Sequence, residues 1–170
     1  MKFTILGTGS ATPITERRPS AALLDLGNES ILMDCGEGTQ FQMLRYKVRF
    51  SRLKYILITH LHGDHFFGLI ALINTLNNTG RTEPLILAGP RGLDEILSVQ
   101  LKYSQAFLNY RVEFLCTDPD KPEEIFFERK RSVLRASCSG TGFPAQGSWF
   151  PEYLLPGRSW RKSSPPTSRP

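Results

Sequence analysis

The hexapeptide His60-Leu61-His62-Gly63-Asp64-His65 contains every histidine of this 170-residue chain. Side chains two residues apart on extended backbone point to the same side, so His60 and His62 can share one metal ion. Asp64 and His65 follow on a turn that Gly63 permits, and they can reach a second metal beside the first. Imidazole nitrogen and carboxylate oxygen are suitable ligands for zinc.

Two metal ions roughly 3.5–4 Å apart form an arrangement that hydrolyses phosphodiesters, because the pair activates a bridging water and stabilises the developing charge. The spacing within the hexapeptide therefore predicts a metal-dependent hydrolase. Two other interpretations stay open: a chance cluster of polar residues in a loop, and a structural site with a single zinc ion. Structural zinc sites usually rely on cysteine, and none is near the hexapeptide in sequence.

The residues on either side of the hexapeptide predict alternating strands and helices. Residues 55–59 form an apolar, β-branched run typical of a buried strand, and Asp64 is expected to cap a helix over about residues 65–77. Gly27-Asn28 is a hairpin-type turn. We also expect strands at residues 2–6, 21–26, 30–34, 84–88 and 112–116, and helices at residues 38–46 and 92–107. The predicted fold class is α/β.

The composition is that of a globular domain. With 170 residues, 40% of them hydrophobic, the chain can bury one core. The sequence offers no run of about 18 apolar residues, so we expect no membrane span. The first residues enter a strand-like run without the apolar segment of a signal peptide. The three cysteines lack metal-type spacing, and free thiols in a cytoplasmic protein are the expectation.

Charge and composition change near residue 128. Residues 1–128 hold 13 basic and 15 acidic side chains, whereas residues 129–170 hold eight basic side chains and one acid, Glu152. Of the 42 residues after residue 128, 18 are Ser, Gly or Pro, and no amphipathic period is visible. We therefore predict a domain at residues 1–128 and an irregular basic tail at residues 129–170, either disordered or not native to the gene.

Three segments together resemble one known family. The hexapeptide after its Ile-Leu-Ile-Thr strand resembles the metallo-β-lactamase superfamily. Residues 3–13 (FTILGTGSATP) and residues 34–42 (DCGEGTQFQ) resemble ribonuclease Z, the tRNA 3′-processing endonuclease of that superfamily. The resemblance covers about residues 1–128 and implies the amino-terminal half of a metallo-β-lactamase αββα sandwich, followed by an irregular tail.

The resemblance implies a role for each matching residue. His60 and His62 would bind a first zinc ion, and Asp64 and His65 a second. Asp64 would also be the proton acceptor, and Asp34 would orient the ligands. A strand-end cap is the alternative for Asp34.

The backbone amides of Gly7, Thr8 and Gly9 could approach an RNA phosphate. A simple tight turn is the alternative for this segment. The implied activity is that of a zinc-dependent endoribonuclease, which removes the 3′ trailer from precursor tRNA. The implied enzyme is a homodimer with two zinc ions per subunit.

The chain departs from the family after the hexapeptide. The family completes its site with two later histidines and a bridging aspartate, but no histidine follows His65 here. Each zinc would have about two protein ligands, whereas catalytic zinc usually has three or more, so we predict an incomplete site and impaired activity. The alternatives are a catalytically inactive truncated fragment, or another hydrolase of this fold, such as a lactonase or an arylsulfatase-like enzyme.

A reading-frame shift could explain the departure. Codons for Gly140-Thr141-Gly142-Phe143-Pro144-Ala145-Gln146-Gly147, read two nucleotides later, can encode His-Arg-Ile-Pro-Cys-Thr-Gly. This is the segment that the family carries at about this place. The rival hypothesis is a native basic tail that binds RNA.

Overall fold

The sheet of this protein joins antiparallel and parallel strands. The computed structural model describes residues 1–117 and, beyond them, the backbone of residues 124–129 and 132–136. Six of the described strands form one sheet in chain order. They are β1 (Lys2–Gly7), β2 (Ala21–Asp25), β3 (Ser30–Met33), β4 (Leu53–Leu57), β5 (Leu85–Pro90) and β6 (Val112–Thr117). β1, β2 and β3 pair antiparallel, whereas β3 to β6 are parallel.

Helices connect the parallel strands. α1 (Thr39–Arg45) links β3 to β4 through a short 3-10 helix, Phe50–Arg52. α2 (Gly63–Phe66) and α3 (Leu69–Asn78) link β4 to β5, and α4 (Leu93–Tyr103) links β5 to β6. Since the carboxyl ends of parallel strands meet at one edge of a sheet, the loops after β3 and β4 are neighbours. The predicted α/β class is confirmed.

One hydrophobic core joins the sheet to its helices. Among the fully buried side chains, the strands contribute Leu32, Ile56 and Leu87, and the helices contribute Met43 and Leu72. Burying a side chain of this size stabilises the fold by roughly 1.5–3 kcal/mol. This core fixes the positions of the loops at the end of the sheet.

A buried arginine secures the opposite end of the parallel strands. Arg81 is 8% exposed, and its guanidinium donates hydrogen bonds to the carbonyl oxygens of Leu53 (2.7 Å), Glu83 (2.8 Å) and Pro84 (2.7 Å). The guanidinium also lies 5.3 Å from the ring centroid of Tyr110. Arg81 therefore ties the start of β4 to the segment that enters β5.

The helix after the hexapeptide differs from the prediction. Asp64 is not its cap: α2 begins at Gly63, His62 occupies the cap position, and no side chain makes a capping hydrogen bond there. The helix is also interrupted before α3. The Gly68 amide donates to the carbonyl oxygen of Cys35 (2.9 Å), and a Cβ at Gly68 would lie only 2.0 Å from the Gly36 carbonyl oxygen. The loop after β3 thus packs into the break between the two helices.

The other predicted elements are present with small shifts. The fourth strand begins and ends two residues earlier than predicted, at Leu53–Leu57, and the last helix stops at Tyr103 rather than at residue 107. Two further strands, β7 (Glu124–Arg129) and β8 (Ser132–Ala136), form an antiparallel pair. β8 lies within the predicted irregular tail. Residues 137–170, which make up most of that tail, lie outside the described residues.

Candidate functional site

The predicted site residues meet at the carboxyl ends of β3 and β4. Asp34 directly follows β3, while Thr59 and His60 follow β4. His65 lies on α2, which the core holds through the buried side chain of Phe66. Backbone hydrogen bonds join these loops, from Asp34 N–H to Leu57 O (2.8 Å) and from Cys35 N–H to His65 O (2.7 Å). Residues distant in sequence are therefore held together by the sheet.

Asp34 is the centre of a buried polar network. Its Oδ1 accepts hydrogen bonds from the Thr59 amide (2.9 Å) and the Thr59 hydroxyl (2.8 Å). Its Oδ2 accepts from His65 Nδ1 (2.7 Å) and Ser20 Oγ (3.2 Å). The backbone of Asp34 has φ 57, a left-handed conformation that Asp and Asn adopt more readily than most residues. The side chain of Asp34 therefore contacts three other residues, and its role in orienting metal ligands stays a prediction.

The hydrogen bond to Asp34 fixes the imidazole of His65. A carboxylate can only accept, so Nδ1 of His65 carries the proton and Nε2 is left for another partner. Nε2 lies 3.6 Å from Oδ2 of Asp64. The structure therefore brings together the two residues that were predicted to share a metal ion.

Thr59 extends the network to His60. Its hydroxyl oxygen lies 3.0 Å from Nδ1 of His60. Because the hydroxyl donates its single proton to Asp34, it accepts from a protonated Nδ1 of His60, which leaves Nε2 of that ring unprotonated. His60 and His65 are therefore oriented through the same carboxylate, as metal ligands commonly are.

The three imidazoles form a histidine cluster: His60, His62 and His65. The His60 ring centroid lies 3.9 Å from that of His65 and 4.6 Å from that of His62. The pKa of His60 is lowered, first by burial and then by the positive charges that His65 and His62 can carry, while Asp34 and Asp64 oppose the shift. A lowered pKa favours neutral imidazole, which is the form that binds metal ions.

The cluster fits zinc in its donor types, but it is not a complete zinc site. Imidazole nitrogens and a carboxylate lie side by side with oriented rings. Within the part of the chain that the structure describes, however, no three His, Cys, Asp or Glu side chains are grouped so that they could hold one metal ion. A complete zinc centre needs at least one further ligand, and the 170 residues contain no other histidine.

The glycine-rich segment after β1 packs against the chain itself. The Gly9 amide donates to the carbonyl oxygen of Arg18 (2.7 Å), and a Cβ at Gly7 would lie 1.9 Å from the carbonyl oxygen of Pro19. The Gly9 amide is therefore occupied, and close backbone approach explains the glycines. A contact between RNA phosphate and this segment stays a prediction, and Thr8 is exposed there.

Two polar residues of the network were not predicted. Thr59 was placed at the end of a buried strand, and only its position next to His60 could have suggested a further role. Ser20 lies 14 residues before Asp34, and no local pattern marks it. Both act through contacts that form only when the sheet assembles.

A protein-family model matches a long stretch of this chain, which includes the histidine cluster and Asp34. The model described as "Anti-Pycsar protein Apyc1" matches residues 1–111, which is well over half of the chain. The chain belongs to this family. The Apyc1-family chain is also homologous to ribonuclease Z, as the sequence motifs predicted.

Ribonuclease Z relatives match most of this chain. It is 41% identical over 142 residues to ribonuclease Z of Parabacteroides distasonis, an alignment that covers 80% of this chain and 47% of that protein. It is 39% identical over 160 residues to ribonuclease Z of Acaryochloris marina, which covers 93% of this chain and 50% of the relative. The Apyc1-family chain thus spans about half the length of these relatives. The second alignment is longer than residues 1–128, so it extends into residues 129–170.

Solved structures identify the fold. The crystal structure of human tRNase Z, short form, matches with a TM-score of 0.70 and 32% identity, covering 81% of this chain and 60% of the other. The metallo-β-lactamase fold protein YhfI from Bacillus subtilis matches with a TM-score of 0.54 and 19% identity, covering 78% and 56%. The mixed sheet of the Apyc1-family chain is therefore part of a metallo-β-lactamase fold, as predicted. No helix among the described residues is long and apolar enough to cross a membrane.

Proposed function

We propose that this chain carries the amino-terminal half of the active site of a ribonuclease Z-type phosphodiester hydrolase, whose substrate is precursor tRNA. The main support is the carboxylate of Asp34, which holds His65 so that Nε2 lies beside Asp64. A network that fixes the orientation of an imidazole favours a role as metal ligand. It favours that role over a chance cluster of polar residues in a loop and over a structural site with a single zinc ion. Identity of about 40% to ribonuclease Z relatives adds the substrate class.

Each residue of the network has a proposed task. His60 and His62 would hold one zinc ion through ring nitrogens, and Asp64 and His65 a second. Asp34 keeps the His65 ring from rotating and fixes its proton on Nδ1. Asp64 is also the proposed proton acceptor during hydrolysis. When bound, a pair of zinc ions supplies an activated water and charge stabilisation at the phosphate.

We further propose that this chain alone is impaired. Two ligands per zinc are fewer than catalytic sites use. A second copy could not supply another histidine outside the hexapeptide, because its sequence is the same. In the intact family arrangement the partners would be precursor tRNA and a second subunit. A catalytically inactive fragment is the limiting case of this proposal.

Metal content and cleavage together test both parts. The 170-residue chain is dialysed against zinc, and its metal content is measured by mass spectrometry. We expect less than one tightly bound zinc ion per chain. It is expected not to cleave precursor tRNA above background. Two tight zinc ions per chain, with cleavage that His62→Ala abolishes, would overturn the impairment and support the nuclease. Sedimentation equilibrium on the same sample tests the homodimer.

A second candidate function follows from the family model. Its description as an anti-Pycsar protein favours a phosphodiesterase that acts in that context rather than on tRNA. A lactonase or an arylsulfatase-like hydrolase remains a further alternative with the same fold. Parallel assays with precursor tRNA, a small-molecule phosphodiester, a lactone and an aryl sulfate separate these possibilities. Activity on the small-molecule phosphodiester alone would replace the tRNA proposal.

A further inference from the structure

A cleft of about 180 Å³ lies at the end of the sheet opposite the histidine cluster. It is formed where β1 begins at Lys2 and β3 begins at Ser30, and the loop after α1 forms another wall. The histidine cluster follows the carboxyl ends of β3 and β4. The cleft is therefore a separate feature that the proposed hydrolase chemistry does not use.

Basic side chains dominate this cleft, which we call the basic cleft. Lys2, Lys47, Arg49 and Arg52 line it, and Asp25 is the one carboxylate among its lining residues. The Oδ1 atom of Asp25 already accepts a hydrogen bond from the Gly27 amide at 2.7 Å. The ion pairs found in the described part of the chain involve none of the four cations. The four cations therefore outnumber the single carboxylate that lines the cleft, and none of them forms an ion pair with another described residue.

One of the four cations, Lys47, lies at a strained position in the backbone of the cleft wall. Lys47 has φ 55 and follows the last turn of α1, where its amide donates to the Leu44 carbonyl oxygen at 3.0 Å. This is the position at which helices commonly end with glycine, because other residues are strained in the left-handed region. A lysine there keeps a positive charge at the mouth of the cleft despite that strain.

We propose that the basic cleft binds a phosphate group, carried by a small phosphate ester or by a polynucleotide. Arginine and lysine side chains pair with phosphate oxygens. The volume accommodates one phosphate group with part of its substituent. This site does not depend on the proposed hydrolase function, because none of its residues belongs to the histidine network.

Titration with inorganic phosphate at low salt, followed by calorimetry, tests the site. The 170-residue chain is expected to bind phosphate saturably. Replacing both Arg49 and Arg52 by Gln should weaken binding by about tenfold or more, since charge-assisted hydrogen bonds are lost. Lys102→Gln removes one exposed cation elsewhere, at the end of α4, and should leave the affinity unchanged. Absence of saturable binding, or an equal loss in Lys102→Gln, would overturn the proposal.

A further variant separates the loss of charge from an effect on folding. Lys47→Gly removes a cation and relieves the left-handed strain, so it should bind phosphate several-fold more weakly while unfolding at a higher temperature. If Lys47→Gly binds phosphate as the wild type does, the cleft is not the binding site.

Competition identifies the source of the phosphate. A short single-stranded RNA that displaces inorganic phosphate, and loses affinity in the Arg49 and Arg52 double variant, indicates a polynucleotide ligand. Displacement by a nucleoside monophosphate but not by the RNA indicates a small phosphate ester. Either result supports the site, whereas RNA binding that is insensitive to the double variant and to phosphate contradicts the polynucleotide source.

Discussion

Nδ1 of His65 lies 2.7 Å from Oδ2 of Asp34, although 31 positions separate the two residues in the sequence. The contact joins the end of β3 to α2 and leaves Nε2 of His65 facing Asp64. A metal ligand is useful only when the correct nitrogen is unprotonated and pointed at the metal. The relationship therefore links the packing of the sheet to the chemistry of the hexapeptide.

Asp34→Asn should invert the tautomer of His65. Asparagine tolerates the left-handed backbone, and its carbonyl oxygen can still accept from Thr59. Its amide group would face Nδ1 as a donor, so the proton should move to Nε2 and block that nitrogen. Long-range proton–nitrogen NMR measures the change, and zinc affinity should fall by about 10- to 100-fold. Asp25→Asn, at the end of β2, is the matched control. An unchanged His65 tautomer in Asp34→Asn would contradict the assigned role.

Thr59→Val should destabilise the protein through the same network. It removes the hydroxyl that donates to Asp34 Oδ1 at 2.8 Å and keeps a similar shape. We expect a loss of about 2 kcal/mol in the free energy of unfolding, because the acceptor is a partly buried carboxylate. Thr59→Ser retains the hydroxyl and should lose less than about 1 kcal/mol. Urea denaturation measures both, and equal losses would show that the hydroxyl does not matter.

Gly68→Ala should destabilise the junction of α2 and α3 by steric overlap. The added Cβ would meet the carbonyl oxygen of Gly36 at 2.0 Å, and backbone cannot move aside cheaply. We expect a loss of about 3 kcal/mol in the free energy of unfolding. Gly80→Ala is the comparison, since Gly80 has φ +81 and open space around it. It should lose only about 1 kcal/mol, from backbone strain. A smaller loss at Gly68 than at Gly80 would contradict the close approach.

Alkaline pH should weaken the fold through Cys35. Complete burial raises the pKa of this thiol from its ordinary value of 9.0 to about 12, while a hydrogen bond with Thr39 opposes the rise and the charge of Asp34 adds to it. The folded state therefore keeps a proton that the unfolded state loses above pH 9.0. Stability should be constant below that pH and fall above it, by about 1.4 kcal/mol per pH unit from this group. Cys35→Ala should flatten the decline in denaturation measured across this range, and an unchanged slope would exclude Cys35 as the cause.

The coding DNA should reveal whether residues 129–170 are native. If the frame shifts, reading across codons 125–145 in another frame is expected to give a His-Arg-(Ile or Val)-Pro segment and to continue the family pattern. Resequencing of the gene measures this directly. If the original frame is correct and no other frame continues the pattern, residues 129–170 are a native tail, and their basic side chains then become candidates for RNA binding.

Local patterns predicted the sheet and part of the site. The apolar run before His60 and the hairpin turn at Gly27 placed β2, β3 and β4 within one or two residues. The spacing of His60 and His62, together with the resemblance of the flanking segments, pointed to the correct fold family. These features depend on residues that are neighbours in the sequence, so one amino-acid sequence is enough to recognise them.

Tertiary contacts explain what was missed. The break at Gly68 exists because Cys35 and Gly36 pack there, and those residues lie more than 30 positions away. The Asp64 side chain was expected to cap a helix, but it points instead towards Nε2 of His65. Thr59 reaches Asp34 only after β3 and β4 pair, and Ser20 reaches it only after β2 and β3 pair. Helical periodicity contains none of this information.

The buried guanidinium of Arg81 has a consequence for mutational screening. It secures β4 and β5 at the ends remote from Asp34 and His60. Its loss would leave three carbonyl oxygens without their donor and disturb the alignment of β4 on which the position of His60 depends. A library of variants scored only for zinc binding will therefore group Arg81 with the histidines. A parallel measure of protein abundance is needed to separate the residue that supports the scaffold from those proposed to bind the metal.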